Sequence, residues 1–186
     1  MKLIQETPEV YYLTGSQVLL EKKNFDQLID LAFRSKRQRA RYCTHQNKGS
    51  NLHEMFEVFT RQTYLRPLKQ EKKIYSFHII QGAVDIYLFS NAGEVTDVIS
   101  LGDFQSGKTF YFRPPANTYR TLLTMTDFVL YHEVTTGPFQ KEDTIFAHWA
   151  PQENDTDGIG QFILQLHANK ISRERLMPLQ RSSAVD

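Results

Sequence analysis

The chain is poor in cysteine, tryptophan, long apolar runs and net charge. A single cysteine in 186 residues, Cys43, excludes an intramolecular disulfide and suits a reducing compartment, so we expect a cytoplasmic protein. No uninterrupted apolar run exceeds four residues. A membrane-spanning helix needs roughly 20 and a signal-peptide core roughly 7, so neither is expected. Lys and Arg number 22 against 21 Asp and Glu, for a formal charge of +1, which argues against general nucleic-acid binding. The six histidines stand singly at 45, 53, 78, 132, 148 and 167. They form no H-x-H or HExxH spacing, and no CxxC is present, so spacing alone suggests no metal site.

What the chain does have is aromatic and β-branched texture: thirteen Phe and nine Tyr, with 40% hydrophobic residues overall. That is enough for one buried core. "PEVYYL" reads as a short strand. "NFDQLIDLAFRSK" reads as a helix, with Asn24 as its cap, Gln27 three residues on, and Phe25, Leu28, Ile29 and Ala32 on one face. From residue 54 onward, "EMFEVFT", "KIYSFHII", "AVDIYLF", "VTDVISL", "KTFYFR", "RTLLTM" and "DFVLYHEV" alternate with turn residues. Such a series indicates a sandwich or barrel and not βαβ units. A loop, "HWAPQENDTDG", then leads into a second helix around "IGQFILQLHA", with Ile159, Phe162, Ile163 and Leu166 at helical spacing. The expected organisation is an N-terminal strand and helix extension over 1–50, a β-barrel over 51–140, a loop and helix over 141–177, and a loose tail over 178–186.

Several short motifs fit patterns that their context rejects. "GDFQSGKT" (102–109) matches the phosphate-loop consensus, but Lys108 and Thr109 run into "FYFRPPANTY", where no helix can start; the stretch reads as a turn between strands. "ENDTDG" (153–158) would place Leu164 where a calcium loop needs its bidentate glutamate. "GIG" (158–160) lacks a third glycine and a preceding strand. "RSKRQRAR" (34–41) reads as a solvated helix end with favourable cations, or as a grip for small anions. Cys43 and His45 would share one face of an extended segment, with nothing nearby to ionise the thiol. His78 reads as a buried, hydrogen-bonded histidine sharing a strand face with Ile74, Ser76 and Ile80.

In order, "RQRARYCTH", "EMFEVFTRQTYLRPLKQ", "IIQGAVDIYLFSNAGEV", "FRPPANTYRTLL", "LYHEVTTGPF" and "HWAPQE" resemble the WbuC family of cupin-fold proteins, over roughly residues 37–153. The resemblance implies an all-β fold, a cupin double-stranded β-helix or jelly-roll barrel, carrying an N-terminal helical extension and a C-terminal helix. It also implies a homodimer and an association with bacterial O-antigen and surface-polysaccharide gene clusters. The family's first motif carries two histidines and then a glutamate, and its second carries a further histidine, together a divalent-cation site. Here Leu68 and Gln70 stand at the two histidine positions, Tyr75 at or beside the glutamate, and Arg120 at the second-motif histidine. None is a good metal ligand, so we expect no metal and no other cofactor.

Inward and outward residues alternate along barrel strands, so those positions still point into the barrel. A guanidinium in a partly desolvated pocket wants a carboxylate or phosphate. Arg120, Gln70, Tyr75 and Leu68 are therefore the candidate ligand-binding residues, with Arg39 and Arg41 as outer contacts. Glu133 on the closing strand is either a pocket residue or the internal partner of Arg120. The expected partner is a small anionic molecule of the sugar-phosphate or nucleotide-sugar class, with no nucleic acid and no membrane. Three functions remain open at this point: a metal-free binding protein, a metal-independent sugar isomerase or epimerase, and a structural or regulatory protein whose barrel is plugged by Arg120 and Glu133. Catalytic residues are not assigned.

Overall fold

A computed structural model of the chain describes residues 2–176; the expected tail at 178–186 lies outside the described residues. Twelve strands run in the order β1 (Lys2–Thr7), β2 (Val10–Thr14), β3 (Arg39–Cys43), β4 (Leu52–Thr60), β5 (Leu68–Gln70), β6 (Tyr75–Gln81), β7 (Ala83–Phe89), β8 (Val95–Gly102), β9 (Tyr111–Phe112), β10 (Tyr119–Thr124), β11 (Phe128–Thr136) and β12 (Thr144–Phe146). Helix α1 (Lys22–Arg34) lies between β2 and β3, and α2 (Thr156–Leu176) follows β12. One sheet has the order β1-β2-β3-β4-β11-β6-β9, the other β12-β5-β10-β7-β8. All pairings are antiparallel except β2 with β3. The two sheets close on a shared apolar core that includes Phe59, Phe77, Ile79, Val84, Ile86 and Leu122. The architecture is an all-β cupin barrel, a jelly roll with a helix packed on each side.

Those helices explain why the barrel strands are so apolar. Every residue of β7, "AVDIYLF", is buried. Val84, Ile86 and Leu88 face the barrel core, while Tyr87 and Phe89 turn outward onto Trp149, Phe162 and Leu166 of the α2 side. The other sheet presents Ala40, Tyr42, Val58 and Leu130 to Leu28 and Ala32 of α1. Burying a side chain such as Leu28 contributes about 2 kcal/mol. Asp85, also in β7, is buried, and it accepts from Lys170 Nζ and Ser100 Oγ, each at 2.7 Å.

The local signals were partly misplaced. Asn24 is not the cap of α1 but its third residue: its Oδ1 accepts from the Glu21 backbone N–H at 2.9 Å, and Glu21 is the N-cap of a reciprocal capping box. The basic run 34–41 is a solvated helix end only over its first part, where Arg34 closes α1 and Lys36 and Arg37 are exposed. The helix stops at Arg34 and β3 starts at Arg39, so Ala40 and Tyr42 pack on α1 while Arg39 and Arg41 turn into the barrel. His78 is not buried: it lies exposed on the outer face of β6, beside Phe110. After Gly102 a single 3-10 turn (Phe104–Ser106) leads to β9, with no helix. Asp103 accepts from the Ser106 N–H of that turn and from the Gly82 N–H of the β6–β7 turn, at 3.0 Å each, so no phosphate cradle forms there. Gly82, at φ +87°, makes the β6–β7 turn; a Cβ there would sit 2.4 Å from the Phe128 carbonyl oxygen, which is why only glycine fits.

Candidate functional site

The register of the larger sheet places its inward side chains in rows. Arg41, Glu57 and Tyr131 form one, from the pairs Arg41↔Glu57 and Tyr131↔Glu57. Cys43, Met55, Glu133 and Phe77 form the next, and His53, Thr135 and Tyr75 the third. Facing them, the smaller sheet brings Arg120 beside Leu68 of β5 and Leu88 of β7. At one end of the barrel these inward positions are aliphatic and close-packed. At the other they are polar, and a cavity of about 470 Å³ opens between the sheets. All seven residues expected from sequence, namely Arg39, Arg41, Leu68, Gln70, Tyr75, Arg120 and Glu133, line this one cavity.

Arg120 is only 6% exposed. Its guanidinium carbon lies 4.1 Å from the centre of the Tyr75 ring and 5.9 Å from that of Phe77, an arrangement that stabilises a desolvated cation. Among the described residues, no carboxylate comes within 4.0 Å of it. Burial pushes the Tyr75 hydroxyl up to about 12, with Arg120 opposing and Glu133 reinforcing the rise, so the phenol stays protonated. Nearby, Gln70 Nε2 donates to Thr144 Oγ1 at 2.6 Å, while Gln70 Oε1 is buried without a hydrogen-bond partner; Thr135 lies within reach of the Tyr75 hydroxyl. Buried polar atoms left without a partner are uncommon and call for a missing one.

The acidic wall is asymmetric. Glu57 is held on both oxygens, by Arg41 Nη1 at 3.4 Å and by the Tyr131 hydroxyl at 3.0 Å. Glu133, two positions along β11 from Tyr131, makes no ion pair within 4.0 Å among the described residues; in particular it does not meet Arg120. Burial, and then the neighbouring Glu57, raise its carboxyl to about 8, with Arg120 and Arg41 only partly offsetting this. Glu133 therefore keeps its proton through most of the neutral range. Arg39, by contrast, is engaged at the rim: Glu153 lies 3.6 Å away and also pairs with Arg37.

Sequence reasoning missed Glu57, Tyr131, His53, Thr135 and Lys73. The alternation of β4 could have shown Glu57 facing inward with Met55 and Phe59, since "EMFEVFT" was already recognised as a strand. Lys73 had no such signal. It is buried because its ammonium donates to the carbonyls of Thr136 at 3.0 Å and Pro138 at 2.7 Å. His45 and His53 stack at 4.0 Å near the cavity mouth, and burial lowers both below the usual histidine range. Burial pushes the Cys43 thiol up to about 12, so it is no thiolate nucleophile.

A divalent cation of the kind the cupin resemblance implies does not fit this donor set. Arg120 is cationic and Leu68 offers no ligand atom. Among the described residues no three His, Cys, Asp or Glu side chains gather as metal ligands. Nor is any described helix long and apolar enough to cross a membrane.

A family model described as "Domain of unknown function (DUF6016)" matches residues 20–101. No curated protein matches the chain. Among solved structures, a Shewanella oneidensis protein is similar at 16% identity and TM-score 0.45, over 55% of this chain and 66% of that one. The Schizosaccharomyces pombe Cnp3 cupin domain is similar at 14% and 0.41, over 53% and 61%. KdgF from Halomonas sp. is similar at 15% and 0.42, over 56% and 83%. The first two are matched over less than two thirds of their own length.

Proposed function

We propose that this protein is a metal-free cupin that binds a small anionic molecule, of the sugar-acid, sugar-phosphate or nucleotide-sugar class, inside its barrel. The observation that carries the reading is Arg120: a buried guanidinium stacked on Tyr75, with no carboxylate in reach, facing a 470 Å³ cavity. A buried charge without a partner is costly, and a bidentate oxyanion relieves it best. The cavity volume falls in the usual range for small-molecule sites. The partnerless Gln70 Oε1, with Thr135 and His53 also lining the cavity, adds donors and acceptors suited to hydroxyl groups. The motif resemblance to the WbuC family supports a setting in surface-polysaccharide metabolism and a homodimer, and the single cysteine suits the cytoplasm.

Calorimetric titration of gluconate, glucose 6-phosphate and UDP-glucose into the wild type and Arg120→Ala tests this. At least one anion should bind the wild type and lose that binding in the variant. Equal silence of the two proteins would overturn the reading. Silence combined with a large fall in the variant's melting temperature would favour a barrel closed by its own side chains.

A further inference from the structure

The two walls of the cavity differ in charge, and this bears on which anions fit. The smaller sheet supplies Arg120, which among the described residues has no carboxylate within 4.0 Å and rests on Tyr75, and the amide of Gln70. The β4–β11 wall supplies two carboxyl groups in successive inward rows. Glu57 there is saturated by Arg41 and Tyr131, whereas Glu133 is unpaired. Side chains two residues apart on one strand face share a side, and diagonal neighbours across a pair lie roughly 7–8 Å apart. Two carboxylates so placed in a desolvated cavity do not both ionise readily. The one without cation or phenol partners keeps its proton, and a protonated carboxyl donates a hydrogen bond.

We propose that the barrel selects a singly charged hydroxy- or oxo-acid, its anionic head on Arg120 and a neutral oxygen accepting a hydrogen bond from the Glu133 carboxyl, and that it rejects ligands bringing a second negative charge to the Glu57 wall. This rests on the anion-binding reading above and narrows it: within the sugar class it favours a sugar monoacid over diphosphate-linked sugars. Like charges a few ångströms apart repel by at least about 1 kcal/mol even in a well-screened site, and more inside protein. Discrimination is thus built into the wall and does not depend on size.

Gluconate and glucarate make a matched pair of probes, since they share a six-carbon skeleton and differ by one terminal carboxylate. Gluconate should bind at least tenfold more tightly than glucarate, and Arg120→Ala should abolish its binding. Glu133→Ala should weaken gluconate about tenfold, the loss of one hydrogen bond. Glu133→Gln, whose amide also donates, should restore the affinity. It should also remove a decline in affinity expected above about pH 8 as Glu133 ionises. The other titratable and charged groups facing Glu133 are Cys43, Arg41, Glu57, Tyr75, Arg120 and Tyr131. Burial raises both tyrosine hydroxyls and the Cys43 thiol well above that range, so they do not produce the same decline. Arg120-dependent binding in which glucarate equals or exceeds gluconate, or to which Glu133→Ala is indifferent, overturns this inference alone. If neither acid binds in an Arg120-dependent way, the inference falls, and parallel silence toward glucose 6-phosphate and UDP-glucose removes the anion-binding reading with it.

Discussion

Replacing Glu133 with glutamine removes one titrating proton from the barrel while keeping the side chain's size. In the wild type, burial and then Glu57 raise the carboxyl from 4.5 to about 8. The folded protein thus holds this proton more tightly than the unfolded chain does. The stability it contributes is complete below about pH 4.5 and is lost progressively as the pH rises to about 8. At about 1.4 kcal/mol per pH unit the whole span amounts to about 5 kcal/mol. Glu133 is itself only partly buried, so solvent screening reduces this and we expect about 2–4 kcal/mol to be seen. Glutamine does not titrate, so the variant lacks this decline. His45, His53 and His132, each lowered chiefly by burial, titrate at lower pH and equally in both proteins, so they cancel in the difference. Urea unfolding at several pH values from 5 to 9 should show Glu133→Gln gaining steadily on the wild type as the pH rises. Parallel stability profiles across that range would refute the placement of a neutral Glu133 in the barrel.

Two further substitutions probe the surroundings of the site. Leu28→Ala, at a fully buried position between α1 and the larger sheet, should cost about 2–5 kcal/mol in denaturant unfolding and leave anion affinity unchanged, because the cavity lies on the opposite sheet face. Lys170→Ala leaves Asp85 buried without the ammonium at 2.7 Å and should cost about 3–5 kcal/mol; a change under about 0.5 kcal/mol would mean that α2 is not packed on β7 as described.

The barrel was legible because each long strand announces itself by alternation: "KIYSFHII" and "DFVLYHEV" put one residue in two on the core face, and β6 and β11 follow. Strands β5 and β12 were not recognised because three residues carry no period. β1 was missed because every one of its residues is exposed. The positions Leu68, Gln70, Tyr75 and Arg120 were named through the resemblance to the WbuC motifs, and all four line the cavity. Tyr75 in particular faces inward, in register with Thr135. What the sequence could not supply were the partners. That Arg41 meets Glu57 and Arg39 meets Glu153 depends on register between strands and on where a distant loop returns. For the same reason the absence of an Arg120–Glu133 ion pair was invisible: both residues point inward, and only the spacing of the two sheets determines whether they touch. His78 shows the reverse limit, since its alternation placed it correctly with Ile74 and Ile80, but nothing in the chain said that this face of β6 lies open to solvent.

The most direct test of an unpaired Arg120 awaiting an anion is anomalous diffraction from iodide-soaked crystals. The account predicts a strong anomalous peak inside the barrel beside the Arg120 guanidinium, absent in Arg120→Ala crystals. Iodide found only at the outer cations, with the barrel interior empty of anomalous signal in the wild type, would contradict it.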